Sequence, residues 1–305
     1  MVLIMNIKSL PKPNLIIPGA GRGGTTALYE LLNQHPDIFF PYIKEPMFFG
    51  KNYIKDVGWY LNLFHNKEND FKGKLLNMKY NFWNNEKVIG EASTEYLFCK
   101  NSPARMKKFN KDFKFIFILR NPVQRAFSNY KRDVQVKGEN ETFESIINKN
   151  DERAYRYIQY GLYAKHILNY LNFFPKKQMY FILFEEFIVQ PKKELKSIFD
   201  FLEVDSTFSF DFDKINTNPS KMPLSLGLQK LISNHLDSTV ENSILREVVS
   251  YPIRHLLNKI NHIYDLKVNY PKLSNDMRIS LQNFYKKDIL NLEKLIQKDL
   301  GCWLE

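Results

Sequence analysis

Apolar positions in this chain fall into short runs that alternate with longer stretches of helical period. NLIIP from Asn14 is brief, β-branched and ends in a glycine cluster, and TTALYELLNQH from Thr25 then places its apolar residues on one helical face. Three further apolar runs predict strands: VIGE from Val88 to Glu91, FKFIFIL from Phe113 to Leu119, and MYFILF from Met179. Between them lie SPARMKKF, PVQRAFSNYKRDVQV and YAKHILNYLNFF, each with helical spacing. Strands that alternate with helices predict a parallel sheet covered on both faces, and near-continuous apolar strands are what burial on both faces requires. After Asp205 the pattern changes to loops and amphipathic helices, among them LQKLISNHL and MRISLQNFYKKDILNLEKLIQKDL.

No repeat, low-complexity linker or clear boundary interrupts this pattern. The expectation is one α/β domain over residues 1–305: a P-loop-like parallel sheet flanked by helices. Residues 1–13 are an N-terminal extension, and 206–305 form a mostly helical C-terminal part of the same domain. At 305 residues and 44% hydrophobic, the chain has the means to bury a large core.

Charge and cysteine content narrow the partners only partly. A net charge of +11 attracts phosphates, sulfates, nucleic acid or anionic lipid, although a solvated basic surface produces the same excess. Two cysteines, Cys99 and Cys302, are too few for a disulfide framework and lack the paired spacing of a zinc site. The opening MVLIMNIKSLPKP has no basic region before its apolar run and no small-residue cleavage site, and no apolar stretch approaches the ~20 residues that span a bilayer. A cytoplasmic protein without a membrane span is expected.

The candidate chemistry begins at GAGRGGTT, residues 19–26, between a predicted strand and a predicted helix. Glycines let the backbone approach an anion, and the helix N-terminus aims N–H groups and its positive dipole at it. The same loop also serves as a plain strand-to-helix turn. The spacing from Gly19 to Gly24 imitates a nucleotide-triphosphatase loop, but Thr25 stands where that loop needs lysine, and the cation is Arg22 instead. The most apolar strand ends in Arg120 rather than a magnesium-holding carboxylate, whereas Glu91, ending VIGE, keeps a magnesium reading open.

Asn121 and Pro122 follow Arg120 as N-cap and first helical residue, so Arg120 sits at a strand's carboxyl end. Ser128 lies seven residues after Asn121, two turns on and on roughly the same face, where its hydroxyl can help Arg120 hold a phosphate. Two anion sites on adjacent strands stand where open α/β sheets bind ligands.

Taken together, GAGRGGTTALYELLNQHPD and FIFILRNPVQRAFSNY resemble the two nucleotide-binding signatures of the sulfotransferase family. KEPMFFG from Lys44, VGWYLNLF from Val57, GEASTEYL from Gly90 and the stretch from Tyr160 to Leu202 extend the likeness, which is nearest to the bacterial and glycan-modifying branch. The resemblance implies 3′-phosphoadenosine 5′-phosphosulfate (PAPS) as donor and no metal. Arg22, Gly23, Gly24, Thr25 and Thr26 then cradle the 5′-phosphosulfate, and Arg120 and Ser128 take the 3′-phosphate. Tyr163 lies near the nucleotide, Glu45 is the general base and Arg22 offsets charge on the leaving oxygen. From the residues alone, Glu45 is equally a surface loop carboxylate, although Pro46, Met47, Phe48 and Phe49 argue that its loop is packed.

Three positions depart from the family pattern. Arg22 replaces the loop lysine and is a permanent cation. Ala92 stands where glycan enzymes carry a lysine, and Leu224 and Leu226 stand where arginines are usual, with Lys221 as the compensating cofactor-binding residue. The expected reaction is transfer of a sulfuryl group to a hydroxyl or amine of a small molecule or saccharide. The rivals are a P-loop nucleotide kinase or triphosphatase and a nucleic-acid-binding module; for the latter no RNA-module signature, zinc spacing or basic helix is present, so no nucleic acid partner is expected.

Overall fold

The computed structural model describes residues 12–41, 43–64, 86–214 and 271–305. Lys221, Leu224, Leu226 and the LQKLISNHL segment lie outside the described residues. The described residues divide into two compact units: those of 12–121, 163–214 and Leu290–Asp299 in the first, and those of Pro122–Leu162, 271–289 and Leu300–Glu305 in the second.

The first unit is built on a five-stranded sheet. Its strands are β1 (Leu15–Gly19), β2 (Ile38–Phe39), β3 (Val88–Ala92), β4 (Lys114–Leu119) and β5 (Met179–Leu183). They lie in the order β2-β3-β1-β4-β5, and every neighbouring pair is parallel. The four runs expected from the sequence are all strands, with ends within a residue or two of expectation. The fifth, β2, is two residues long and too short for periodicity to reveal. Helices α1 (Thr25–Leu32), α2 (Val57–Asn62), α3 (Ser102–Phe109), α7 (Tyr163–Leu171), α8 (Phe184–Val189) and α9 (Pro191–Leu202) also belong to this unit.

Strands β1 and β3 are buried at every position, as is β4 from Phe115 onward, because helices cover both faces. One side holds Leu15, Ile17, Ile116, Ile118 and Ile182 against Leu28, Leu31, Ile198 and Phe199. Phe115 and Phe117 point the other way, onto Tyr170, Phe174 and Phe181 at ring distances of 4.7–5.4 Å. Because the chain leaves β1 for β2 and β3 on one side and then crosses to β4 and β5 on the other, the strand order reverses at β1. The loops after β1, β3 and β4 therefore open at one carboxyl edge, where such sheets bind ligands.

The second unit contains α4 (Pro122–Lys137), α5 (Phe143–Lys149), α6 (Glu152–Gln159) and the first part of α10 (Asn275–Ile296). Phe127, Tyr130, Phe143 and Tyr157 form its aromatic core. Arg153 binds Asp151, Glu139 and Glu141 at 2.6–2.9 Å, fixing the turn into α6.

The first unit also buries a carboxylate. Glu91, on β3, is 0% exposed, and its oxygens accept hydrogen bonds from Tyr60 (2.7 Å), Ser93 (2.9 Å) and Tyr96 (3.0 and 3.2 Å). Two of these hydroxyls also accept from the segment after β2: Ser93 from the Met47 N–H at 3.1 Å and Tyr96 from the Phe49 N–H at 3.2 Å. Burial pushes Glu91 from the ordinary 4.5 up to about 7, against the three hydroxyl bonds that favour the charged form.

A carboxyl that holds its proton more tightly folded than unfolded adds stability at low pH and loses it as pH rises through its folded pKa. Between about pH 4.5 and 7, Glu91 should therefore subtract stability with rising pH, by on the order of 3 kcal/mol in all. Urea unfolding across this range, on wild type and Glu91→Gln, checks the sign: the difference between the two proteins should change over that window and level off outside it.

Candidate active site

The loop after β1 owes its path to glycines that nothing larger can replace. A Cβ on Gly23 would lie 2.7 Å from the Ile118 carbonyl oxygen and 2.9 Å from that of Ala20. The loop is thus pressed onto the end of β4, where the Ala20 N–H donates to the same Ile118 carbonyl at 2.7 Å. Gly24 has φ +95°, and its Cβ would lie 2.9 Å from the Phe184 ring. As N-cap of α1, Gly24 offers no side chain to the first-turn N–H groups, which suits that helix end to an external acceptor. Arg22 adopts φ +68°, a conformation a side chain seldom takes, and Thr25 is buried while Thr26 is exposed.

Arg120 follows β4. Its Nη1 donates to the Arg22 carbonyl at 3.3 Å, and its guanidinium lies 4.8 Å from the centre of the Phe184 ring. Phe184 thereby packs against both Gly24 and Arg120. Tyr163, 1% exposed, donates from its hydroxyl to the Arg120 carbonyl at 3.0 Å, and the Asn121 N–H donates to Glu185 Oε1 at 2.9 Å. Tyr163 thus acts on the backbone that carries Arg120. Ser128 is buried on α4, in the second unit.

The segment between β2 and α2 brings the third element. The Glu45 N–H donates to the Ala92 carbonyl at 2.9 Å, and Glu45 and Met47 have φ of +61° and +53°. These turns are held by the Ser93 and Tyr96 hydroxyls, and Phe48 and Phe49 are 2% and 0% exposed, with Phe48 stacked on Tyr60 at 4.4 Å. The packed loop expected from the sequence is observed. Glu45 itself is 30% exposed and accepts from Thr94 Oγ1 at 3.1 Å. Lys44 Nζ donates to Thr26 Oγ1 at 2.8 Å and lies 3.9 Å from Glu45 Oε1, so a single ammonium links the glycine loop to this carboxylate.

The structure therefore brings Arg22, Gly23, Gly24, Thr25, Thr26, Arg120 and Glu45 to one edge of the sheet. Sequence reasoning passed over Lys44, Ser93, Thr94, Tyr96 and Phe184. Lys44 and Thr94 stand inside the quoted segments KEPMFFG and GEASTEYL, but no periodicity separates them from ordinary surface residues. The magnesium reading of Glu91 does not fit its surroundings, because tyrosine and serine hydroxyls engage both of its oxygens in the core. A helix N-terminus behind a glycine loop, the Arg120 guanidinium, the Lys44 ammonium and the partly exposed Glu45 carboxylate suit an anion that is both held and attacked.

Comparisons with known proteins bear on the family and the fold. A model of the sulfotransferase domain matches residues 12–236. Human heparan sulfate glucosamine 3-O-sulfotransferase 3A1 is 33% identical over 207 residues, covering 66% of this chain and 47% of that protein. Its human 3B1 counterpart is 34% identical over 195 residues, covering 62% and 46%. The chain thus spans about half the length of these curated relatives. A crystal structure of a sulfotransferase from Alicyclobacillus acidocaldarius superposes with a TM-score of 0.66 at 27% identity, over 97% of this chain and 100% of that one. Mouse sulfotransferase SULT7A1 complexed with PAP shares the fold at a TM-score of 0.50 and 16% identity, over 95% and 91%. With most of its length matched by the domain model and its carboxyl-edge loops built as described, this chain belongs to the sulfotransferase domain family.

Proposed function

We propose that this protein transfers a sulfuryl group from PAPS to a hydroxyl, or an amine, of a saccharide or small molecule. The observation that carries the reading is the meeting of the glycine loop, Arg120 and the Glu45 carboxylate at one edge of the sheet. The donor supplies an activated sulfuryl group on a good leaving phosphate, so the chain's own work is positioning and charge stabilisation. Gly23, Gly24, Thr25 and Thr26 hold the 5′-phosphosulfate through backbone N–H groups and hydroxyls. Arg22 offsets negative charge on the leaving oxygen. Arg120, its backbone steadied by Tyr163, takes the 3′-phosphate; for Ser128 and Lys221 a part in donor binding rests on the sequence alone.

Glu45 accepts the acceptor's proton. Its hydrogen bond from Thr94 and its backbone bond to Ala92 aim one oxygen, and its partial exposure leaves room for an acceptor. A saccharide is favoured because the relatives named above act on heparan sulfate glucosamine. Among the described residues no helix is long and apolar enough to cross a membrane. The cytoplasmic assignment belongs to this proposal and rests on the low cysteine count.

Adenosine 3′,5′-bisphosphate should bind with equal affinity with and without a chelator, as calorimetry will measure; binding only of ATP with magnesium would overturn the reading in favour of a kinase. Arg120→Ala should weaken the bisphosphate roughly tenfold to hundredfold, the value of a charge-assisted hydrogen bond. It should weaken adenosine 5′-phosphosulfate, which lacks the 3′-phosphate, far less; equal losses would move Arg120 away from that phosphate.

Glu45→Gln keeps the size but abolishes the base. Turnover should fall by roughly a hundredfold to ten-thousandfold, with the bisphosphate affinity and melting temperature nearly unchanged. The assay uses the best acceptor from a labelled-donor panel that includes heparan sulfate oligosaccharides. A stable Glu45→Gln enzyme that retains turnover would remove Glu45 from proton transfer.

A further inference from the structure

Lys44 reaches from the segment after β2 to the glycine loop. Its ammonium donates at 2.8 Å to Thr26 Oγ1, a neutral hydroxyl of the glycine loop, and stands farther, at 3.9 Å, from Glu45 Oε1. At that distance the partly exposed pair with Glu45 contributes at most about 1 kcal/mol. The side chain is 25% exposed, so its charge is only partly screened by water. The backbone explains why it points there: Glu45 takes φ +61° with its N–H tied to Ala92, which turns the chain so that residues 44 and 45 both reach toward the loop.

We propose that Lys44 is a catalytic residue whose ammonium contacts the sulfuryl group as it passes from donor to acceptor. The inference rests on the sulfotransferase reading and on the position of this ammonium between the loop threonine and the Glu45 carboxylate. During transfer an acceptor lone pair forms the new S–O bond, and the S–O bond to the bridging phosphate oxygen breaks. The bond's electron pair stays on the phosphate of adenosine 3′,5′-bisphosphate, and the acceptor's proton passes to Glu45. Negative charge is carried throughout by the sulfuryl oxygens, between the two ends of this path. Arg22 belongs to the loop and serves the leaving side. An ammonium with three donors keeps one on Thr26 and turns the others to the sulfuryl oxygens, which a fixed guanidinium fork does less readily.

The test uses binding alone and needs no acceptor. Calorimetry with PAPS and with adenosine 3′,5′-bisphosphate, which lacks only the sulfuryl group, is run on wild type, Lys44→Gln and Lys44→Arg. Lys44→Gln should weaken PAPS roughly tenfold to hundredfold and the bisphosphate by no more than about threefold. Lys44→Arg, which keeps the charge but not the freely turning ammonium, should recover only part of the PAPS affinity. Equal weakening of both ligands would make Lys44 a loop or phosphate residue, and no weakening of either would make it a surface lysine; both results overturn the proposal. Failure of wild type to bind either ligand would instead overturn the sulfotransferase reading beneath it. A melting scan of each variant guards the comparison, and should Lys44→Gln melt well below wild type, Lys44→Met is measured in its place by the same ratio.

Discussion

Burying the Glu91 carboxylate is the constraint on which the arrangement of the site depends. A carboxylate removed from water demands hydrogen-bond donors, and the fold supplies Tyr60 from α2 with Ser93 and Tyr96 from the turn after β3. Each hydroxyl has one hydrogen to give and lone pairs to spare. Ser93 and Tyr96 give the hydrogen to Glu91 and offer a lone pair to the Met47 or Phe49 N–H. The buried carboxyl thus orients the hydroxyls, and the hydroxyls fix a segment whose backbone turns twice through positive φ. With the Glu45 N–H bond to Ala92, they oppose the strain at Glu45 and Met47.

The glycine loop is determined by a different force, namely hard-sphere contact. Gly23 lies against two carbonyl oxygens and Gly24 against the Phe184 ring, so the loop sits closer to β4 and α8 than any side chain would permit. That closeness couples it to Arg120, whose guanidinium meets the Arg22 carbonyl and the same Phe184 ring. Steric exclusion and a cation–π contact together bring the loop that carries Arg22 and the residue that follows β4, Arg120, to one edge.

The cations around this edge differ in kind. Arg22 and Arg120 are permanent charges with planar donor geometry, suited to steady grip on phosphate. Lys44 is a compact charge on a flexible stem, anchored at the loop by Thr26 and beside Glu45. Its distance from both makes it the described side chain that spans the gap between the anion-holding loop and the carboxylate opposite.

Features whose physics is local could be read directly from the residues. Apolar runs of β-branched residues between glycines and helical periods give four of the five strands, and the glycine spacing with Arg22 and Arg120 marks the carboxyl edge. The joint match of two signatures points to the family because each motif is contiguous. Contacts between residues far apart in the chain emerge only on folding. β2 is too short to carry a period, and it forms because Val88 and Ile89 pair with it. The sealing of Glu91 depends on Tyr60, 31 residues away, and the placement of Lys44 on Thr26 joins positions 18 residues apart. Such contacts come from the way parallel crossovers return distant segments to the same edge, and no pattern within either segment encodes the distance between them.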